Sequence, residues 1–251
     1  MSLVRPINTP RRITDVVHAQ LRDAVLNREL RAGEPLSVPS LARRLKVSRS
    51  PVREAVLQLV ADGLATNEPR KGAMVSIVND AELLVLHDIR ELLEGLAARL
   101  AASRMTGAAH ARMKAALARQ REGVRRKDAK VYTATDLDFH SALYDAAAVP
   151  RLRRLLEGLT DQMRLSVSLS LFDPDHQKFG LKEHEAVLDA LAKGEEASAE
   201  GLMRQHVRKS RDRLAATLQK LAQGQGSPRE SNGRAKSRSG TELATRKGAD
   251  K

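Results

Sequence analysis

The chain contains no cysteine, which excludes disulfides, thiolate metal sites and a cysteine nucleophile, and permits a reducing compartment without requiring one. It has no tryptophan, and its aromatic residues are confined to Tyr132, Phe139, Tyr144, Phe172 and Phe179. None lies in the first third of the chain, so base stacking on single-stranded nucleic acid has no residues to work with there. Long apolar runs are also missing: no uninterrupted stretch of about 18 apolar residues occurs, and the opening MSLVRPINTPRR lacks the apolar core of a secretory signal. The expectation is a cytoplasmic protein with no membrane partner.

Positive charge is plentiful. Lys and Arg number 44 against 31 Asp and Glu, and the surplus is 6 over residues 1–79, 3 over 80–221 and 4 over 222–251. Such a field attracts phosphate backbones or anionic surfaces whatever their sequence. A length of 251 residues leads us to expect two domains.

Apolar positions at Ile13, Val16, Val17, Leu21, Val25 and Leu26 follow a helical spacing that Gly33 and Pro35 end. Ser37 is placed to cap a short helix through Leu41 and Leu45, and Ser48 or Ser50 a third through Val52, Val56, Leu59 and Val60. Pro51 falls in the first turn of that helix, where a missing amide proton costs nothing. Runs around 64–67 and 73–78, separated by Pro-Arg-Lys-Gly, read as a hairpin. The pattern predicts a winged helix-turn-helix over residues 1–79. From 80 to 221 helical segments follow at 80–104, 108–126, 129–147, 150–171, 177–193 and 196–221, an all-α six-helix bundle. The fold class is therefore mainly α. Residues 222–251, rich in Gly, Ser, Arg and Lys, read as a disordered basic tail.

Within LARRLKVSRSPVREAVLQLVADGL the apolar positions hold two helices together and leave Ser48, Arg49, Ser50 and Arg53 at the exposed start of the second. A recognition helix meets the major groove at that end. The planar fork of arginine can contact guanine O6 and N7 together, while serine hydroxyls and free helix-end amides can hold phosphate. The competing reading is a solvated face with Arg53 paired to Glu54 or Glu29. Double-stranded DNA is the predicted partner.

VSRSPVREAVLQLVADGL, with RAGEPLSVPSLARRL before it and PRKGAMV after it, resembles the GntR family of bacterial regulators. The resemblance gives Ser48, Arg49, Ser50 and Arg53 the DNA-contacting roles and lets Gly72, at the wing tip, bring backbone close to the minor groove. Several relatives place an arginine or other polar contact where this chain has Pro39. Arg43 is a candidate substitute, with an ordinary exposed arginine as the alternative.

In the second half, DLDFH sets Asp136 and His140 four residues apart on one helical face. His184 shares a stripe with Leu181, Leu188 and Leu191, and His206 one with Leu202, Met203, Leu214 and Leu218. Buried imidazoles need partners, and three imidazoles plus a carboxylate suit a divalent transition metal such as zinc, nickel or manganese. Hydrogen-bonded core histidines are the alternative. The spacing resembles the FCD domain of the FadR subfamily of GntR regulators, in which an Asp and a His four apart and one His on each of two later helices hold a metal. That resemblance adds Arg90, and more weakly Arg164, as residues facing an effector, with an Arg90–Glu94 pair as the competing reading. Glu183 and Glu185 flank His184 but project elsewhere on its helix.

Together these point to a homodimeric regulator, a repressor or an activator, that binds a palindromic operator and responds to a small effector, a carboxylic acid by analogy. A metal-dependent hydrolase and a nonspecific DNA-coating protein are the competing classes. The hydrolase lacks a placed general base, and DNA coating has no need of a patterned six-helix domain.

Overall fold

The structure is a computed structural model, and residues 12–166 and 174–223 are described. Three helices open the chain: α1 (Ile13–Leu26), α2 (Val38–Leu45) and α3 (Arg49–Ala61). The strands β1 (Ala65–Glu68) and β2 (Gly72–Val75) follow, paired antiparallel with Ala65 opposite Val75 and Glu68 opposite Gly72. Val17, Leu21 and Val25 of α1 pack against Leu41, Val52, Val56, Leu59 and Leu64 to form one core. Ile13 and Val16, expected on the same stripe, are instead 58% and 41% exposed, because the buried positions recur every four residues from Val17. Ser37 and Ser48 occupy the N-cap positions of α2 and α3 without a side-chain capping bond.

The hairpin is tied to the chain ahead of α2. Gly33 N donates to Val75 O (3.0 Å), Leu36 N to Ala73 O (2.8 Å) and Val75 N to Glu34 O (2.9 Å). The wing is thus braced by backbone as well as by its partner strand.

The rest of the described chain is helical: α4 (Asp80–Ala102), α5 (Gly107–Arg126), α6 (Ala129–Ala147), α7 (Pro150–Leu165), α8 (Pro174–Ala192) and α9 (Glu196–Ala222). Side-chain caps start three of them: Asn79 accepts from the Glu82 amide, Thr106 from Ala109, and Asp128 from Lys130 and Val131. Ala97, Ala98, Ala101 and Ala102 are fully or almost fully buried on α4 and share a core with Phe139, Leu143, Leu191, Met203 and Val207. Alanine at successive turns lets neighbouring backbones approach closely. The helix expected over 150–171 ends at Leu165, and residues 167–173 lie outside the described residues. The expected basic tail does so from 224 onward; its first two residues complete α9 and the turn after it.

A smaller cluster of Val78, Leu83, Leu86, Met163 and Leu214 sits where the two halves meet, and Leu165 packs against both it and the core of the winged half. Among the described residues no helix is long and apolar enough to cross a membrane.

Candidate DNA-reading surface and buried histidine site

The turn between α2 and α3 is made by Lys46 in the left-handed region (φ 55°), after which Val47 folds back and Ser48 begins α3. Ser48, Arg49, Ser50 and Arg53 are all exposed at that end. With no side chain capping α3, its first amides are free to meet a phosphate oxygen. Arg53 does not take the pairing allowed by the competing reading. Glu54 is bound by Thr14 (2.9 Å) and Ser50 (3.5 Å), and none of Arg43, Arg49 and Arg53 enters an ion pair among the described residues. Arg43 joins Pro39, Lys46, Ser48 and Arg49 along a shallow cleft between the two helices. At the wing tip Arg70 (φ 67°) and Gly72 (φ 81°) make the turn, and no atom lies near the place a Gly72 side chain would occupy, so backbone conformation is what the glycine serves.

In the bundle, α6 delivers His140, α8 His184 and α9 His206 to one buried point, with ligand atoms of all three within 4.8 Å of one another. Their orientation is set from outside. His140 Nδ1 faces Glu94 Oε2 on α4 at 2.9 Å, a close contact short of hydrogen-bond alignment. His184 Nδ1 meets Gln120 Oε1 on α5 at 3.1 Å, and His206 Nδ1 meets Glu183 Oε2 on α8 at 2.9 Å. Gln120 cannot be turned round, because its amide nitrogen donates to Asp136 Oδ1 at 3.0 Å. His184 and His206 therefore carry their protons on Nδ1 and point Nε2 lone pairs at each other across 3.0 Å. Two buried acceptors facing one another at that distance repel unless a cation joins them. The donor set thus fits a metal ion: inward Nε2 atoms, with outer hydrogen-bond partners that fix the tautomers of His184 and His206.

The electrostatics agree. Burial pushes the His184 imidazole well below its ordinary pKa, with His206 and His140 adding to the effect, and burial lowers His206 against the opposing pull of Glu183. Both are held neutral. Burial alone would raise the Glu94 carboxyl, but Arg90, His140 and Tyr144 together hold it far below the usual range. Phe139 stacks on His184 with ring centroids 4.3 Å apart, which keeps water from that face.

Asp136 stands at the rim, 26% exposed, with carboxylate oxygens 3.9 Å from His140 Nε2 and 3.8 Å from His184 Nε2. Arg90 makes the pair of the competing reading, its Nε donating to Glu94 Oε1 at 2.6 Å, while its Nη2 reaches His140 Nε2 at 3.1 Å. Arg164 is not brought to the site. Its guanidinium lies 3.8 Å from Asp161, beside the carboxylate that Arg22 holds. Glu183 does project away from His184, as its place on the helix dictates, and that direction takes it to His206. Gln120 and Tyr144 went unnoticed in the sequence, and Glu94 was read only as a partner of Arg90. Glu94 had a signal in its spacing from Arg90; Gln120 and Tyr144 had none.

Residues 13–75 match the family described as bacterial regulatory proteins, gntR family, and residues 85–209 match the FCD domain. The chain is 31% identical to the HTH-type transcriptional regulator LutR of Bacillus subtilis over 79% of this chain and all of that protein. It is 27% identical to the HTH-type transcriptional repressor RspR of Escherichia coli, over 82% of this chain and 91% of the relative. Among solved structures, E. coli McbR/YncC superposes with a TM-score of 0.67 at 23% identity, covering 83% of this chain and 98% of that one, a likeness of fold.

Proposed function

Because this chain belongs to the GntR family of bacterial regulatory proteins and carries an FCD domain, we propose that it is a homodimeric repressor whose grip on a palindromic operator is set by a small organic acid bound beside a metal in the helical half. The division follows the sequence reading: residues 1–79 read DNA, 80–221 sense and dimerise, and 222–251 form a basic tail. Arg49 and Arg53 read base edges, Ser48 and Ser50 hold phosphate, Arg43 supports them from α2, and Gly72 lets the wing backbone approach the minor groove.

The observation that carries the sensing half is the arrangement of the three imidazoles, each with Nδ1 turned to an outer acceptor and Nε2 turned inward. His140, His184 and His206 would hold the ion, with Asp136 as the fourth ligand from the rim; nitrogen donors favour zinc or nickel, and the carboxylate accommodates manganese. Such an ion supplies a charge with coordination positions left over for effector oxygens. Arg90 supplies the second anchor. Its Nε is committed to Glu94, while its Nη2 points at the same centre and is suited to a carboxylate. Arg164, beside Asp161, is left out of this role.

A second copy is accommodated by α4. Val85, Ile89 and Leu92 recur at i, i+4 and i+7 and all are exposed, an aliphatic stripe along one face of the helix. A twofold pairing there would place two reading heads on related half-sites. The name of the E. coli relative supports repression.

The test combines elemental analysis of protein purified without chelator with a thermal-shift screen of small mono- and dicarboxylic acids, with and without added zinc, followed by DNA binding on the promoters of neighbouring genes. Metal near one per chain, and an acid that shifts both melting and DNA affinity, is the expected result. Metal-free protein indifferent to zinc would withdraw the metal and return the histidines to the core.

A further inference from the structure

The last turn of α7 touches both halves of the molecule. On the sensor side, Tyr144 donates to Glu94 Oε1 at 2.5 Å, and its oxygen lies within reach of the Thr160 hydroxyl, whose single proton goes either to the Leu156 carbonyl at 2.9 Å or to Tyr144. Glu94 in turn faces His140. The two residues after Thr160 leave the bundle. Asp161, a buried carboxylate, takes Arg22 of α1 at 2.6 Å. Gln162 donates to the backbone carbonyl of Asp62 at 3.0 Å.

Asp62 is the C-cap of the recognition helix α3, and its carboxylate meets His18 Nε2 of α1 at 2.8 Å. The next residue is Gly63 at φ 75°, where an added side-chain carbon would stand 2.6 Å from the Gln162 amide. The seat for Gln162 therefore depends on a glycine. Leu165 completes the contact by packing against the cores on both sides.

We infer that the last turn of α7 transmits occupancy of the histidine site to the recognition helix: Glu94, Tyr144 and Thr160 set the position of the turn, and Asp161 and Gln162 set the positions of α1 and of the end of α3. This rests on the reading of the histidines as the metal and effector site. The residues form a contiguous physical route, and its moving part is a slender junction that can dock or release as a unit without repacking either core. Coupling through one ion pair, one hydrogen bond and one apolar side chain is easily biased by a shift of the turn that bears them.

The test uses the full chain and zinc alone as the probe. Zinc affinity is measured by competition with a chromophoric chelator, and hydrogen exchange is followed by mass spectrometry in peptides covering α1 and the Asp62–Gly63 junction. In the unsubstituted protein zinc is expected to change exchange there by about fivefold or more, the lower end of ordinary coupling between sites. Thr160→Val should bind zinc as tightly yet lose that response, and Thr160→Ser should restore it. If Thr160→Val does not fold, Arg22→Met cuts the route from the other side with the bundle intact, and the same loss is expected. Zinc binding with no response in α1, or a full response in Thr160→Val or Arg22→Met, overturns the inference while leaving the site reading in place. Failure of the unsubstituted protein to bind zinc overturns the site reading and the inference with it.

Discussion

Replacing Glu94 by glutamine keeps the shape of a fully buried side chain and removes its charge, so its effect can be followed atom by atom. Oε1 accepts from Arg90 Nε at 2.6 Å and from Tyr144 at 2.5 Å. An amide nitrogen there would oppose two donors, so the amide oxygen must take that place and the nitrogen must take the place of Oε2, 2.9 Å from His140 Nδ1. His140 then accepts on Nδ1 and moves its proton to Nε2. A protonated Nε2 is no longer a ligand, and it faces Arg90 Nη2 at 3.1 Å, donor against donor. Metal affinity is expected to fall about 10- to 100-fold, the usual cost of losing an outer partner. Separately, Arg90 keeps a buried charge without its counterion, which should cost about 3–5 kcal/mol and lower the melting temperature of the metal-free protein by about 6–20 °C. Competition with a chromophoric chelator reads the first quantity, and calorimetry in chelator reads the second. A Glu94→Gln protein with the parent's metal affinity and metal-free melting temperature would refute both the tautomer assignment and the ion pair.

Arg49→Ala and Arg53→Ala are each expected to cost about 1–3 kcal/mol on the specific operator and less on random DNA, measured by fluorescence anisotropy at fixed salt; equal losses on both would make that arginine a phosphate contact. Metal at a hundredfold excess over its dissociation constant should stabilise the protein by about 2.7 kcal/mol, so chelation should lower the melting temperature by about 5–11 °C, and a curve indifferent to chelator would count against the site. Ile89→Arg on the exposed stripe of α4 is expected to give folded monomers in sedimentation velocity, whereas an unaltered dimer would move the interface to another face.

Much of this could be read from residue order because the winged half is built from local signals. Leu41, Val52, Val56 and Leu59 repeat at helical spacing, Pro-Arg-Lys-Gly marks the wing, and the arginines stand at a helix start. The meeting of the histidines was legible for a similar reason: His140 is one turn from Asp136 on one helical face, and His184 and His206 interrupt apolar stripes. Their surroundings were not. Gln120 lies on an amphipathic helix with no mark to separate it from surface glutamines, and only the packing of α5 against α8 turns its amide to His184. Glu94 was read only as the i, i+4 partner of Arg90, yet α4 buries it completely. Arg164 rested on the resemblance alone, and the structure sets its guanidinium beside Asp161 on the last turn of a helix that ends at Leu165.

Backbone bonds hold the wing to the segment ahead of α2, through Gly33, Glu34 and Leu36, and to the chain just after α3, through Ser76 N donating to Leu64 O, so that the wing and α3 act as a caliper of fixed jaw width. Such an instrument cannot adjust to the object it measures. A half-site whose minor groove is wider or narrower than the jaws must itself bend or twist to fit, at an energy that depends on its base steps. Base pairs that no side chain reaches would then contribute to operator choice, and sequence preference would extend beyond the bases under Arg49 and Arg53.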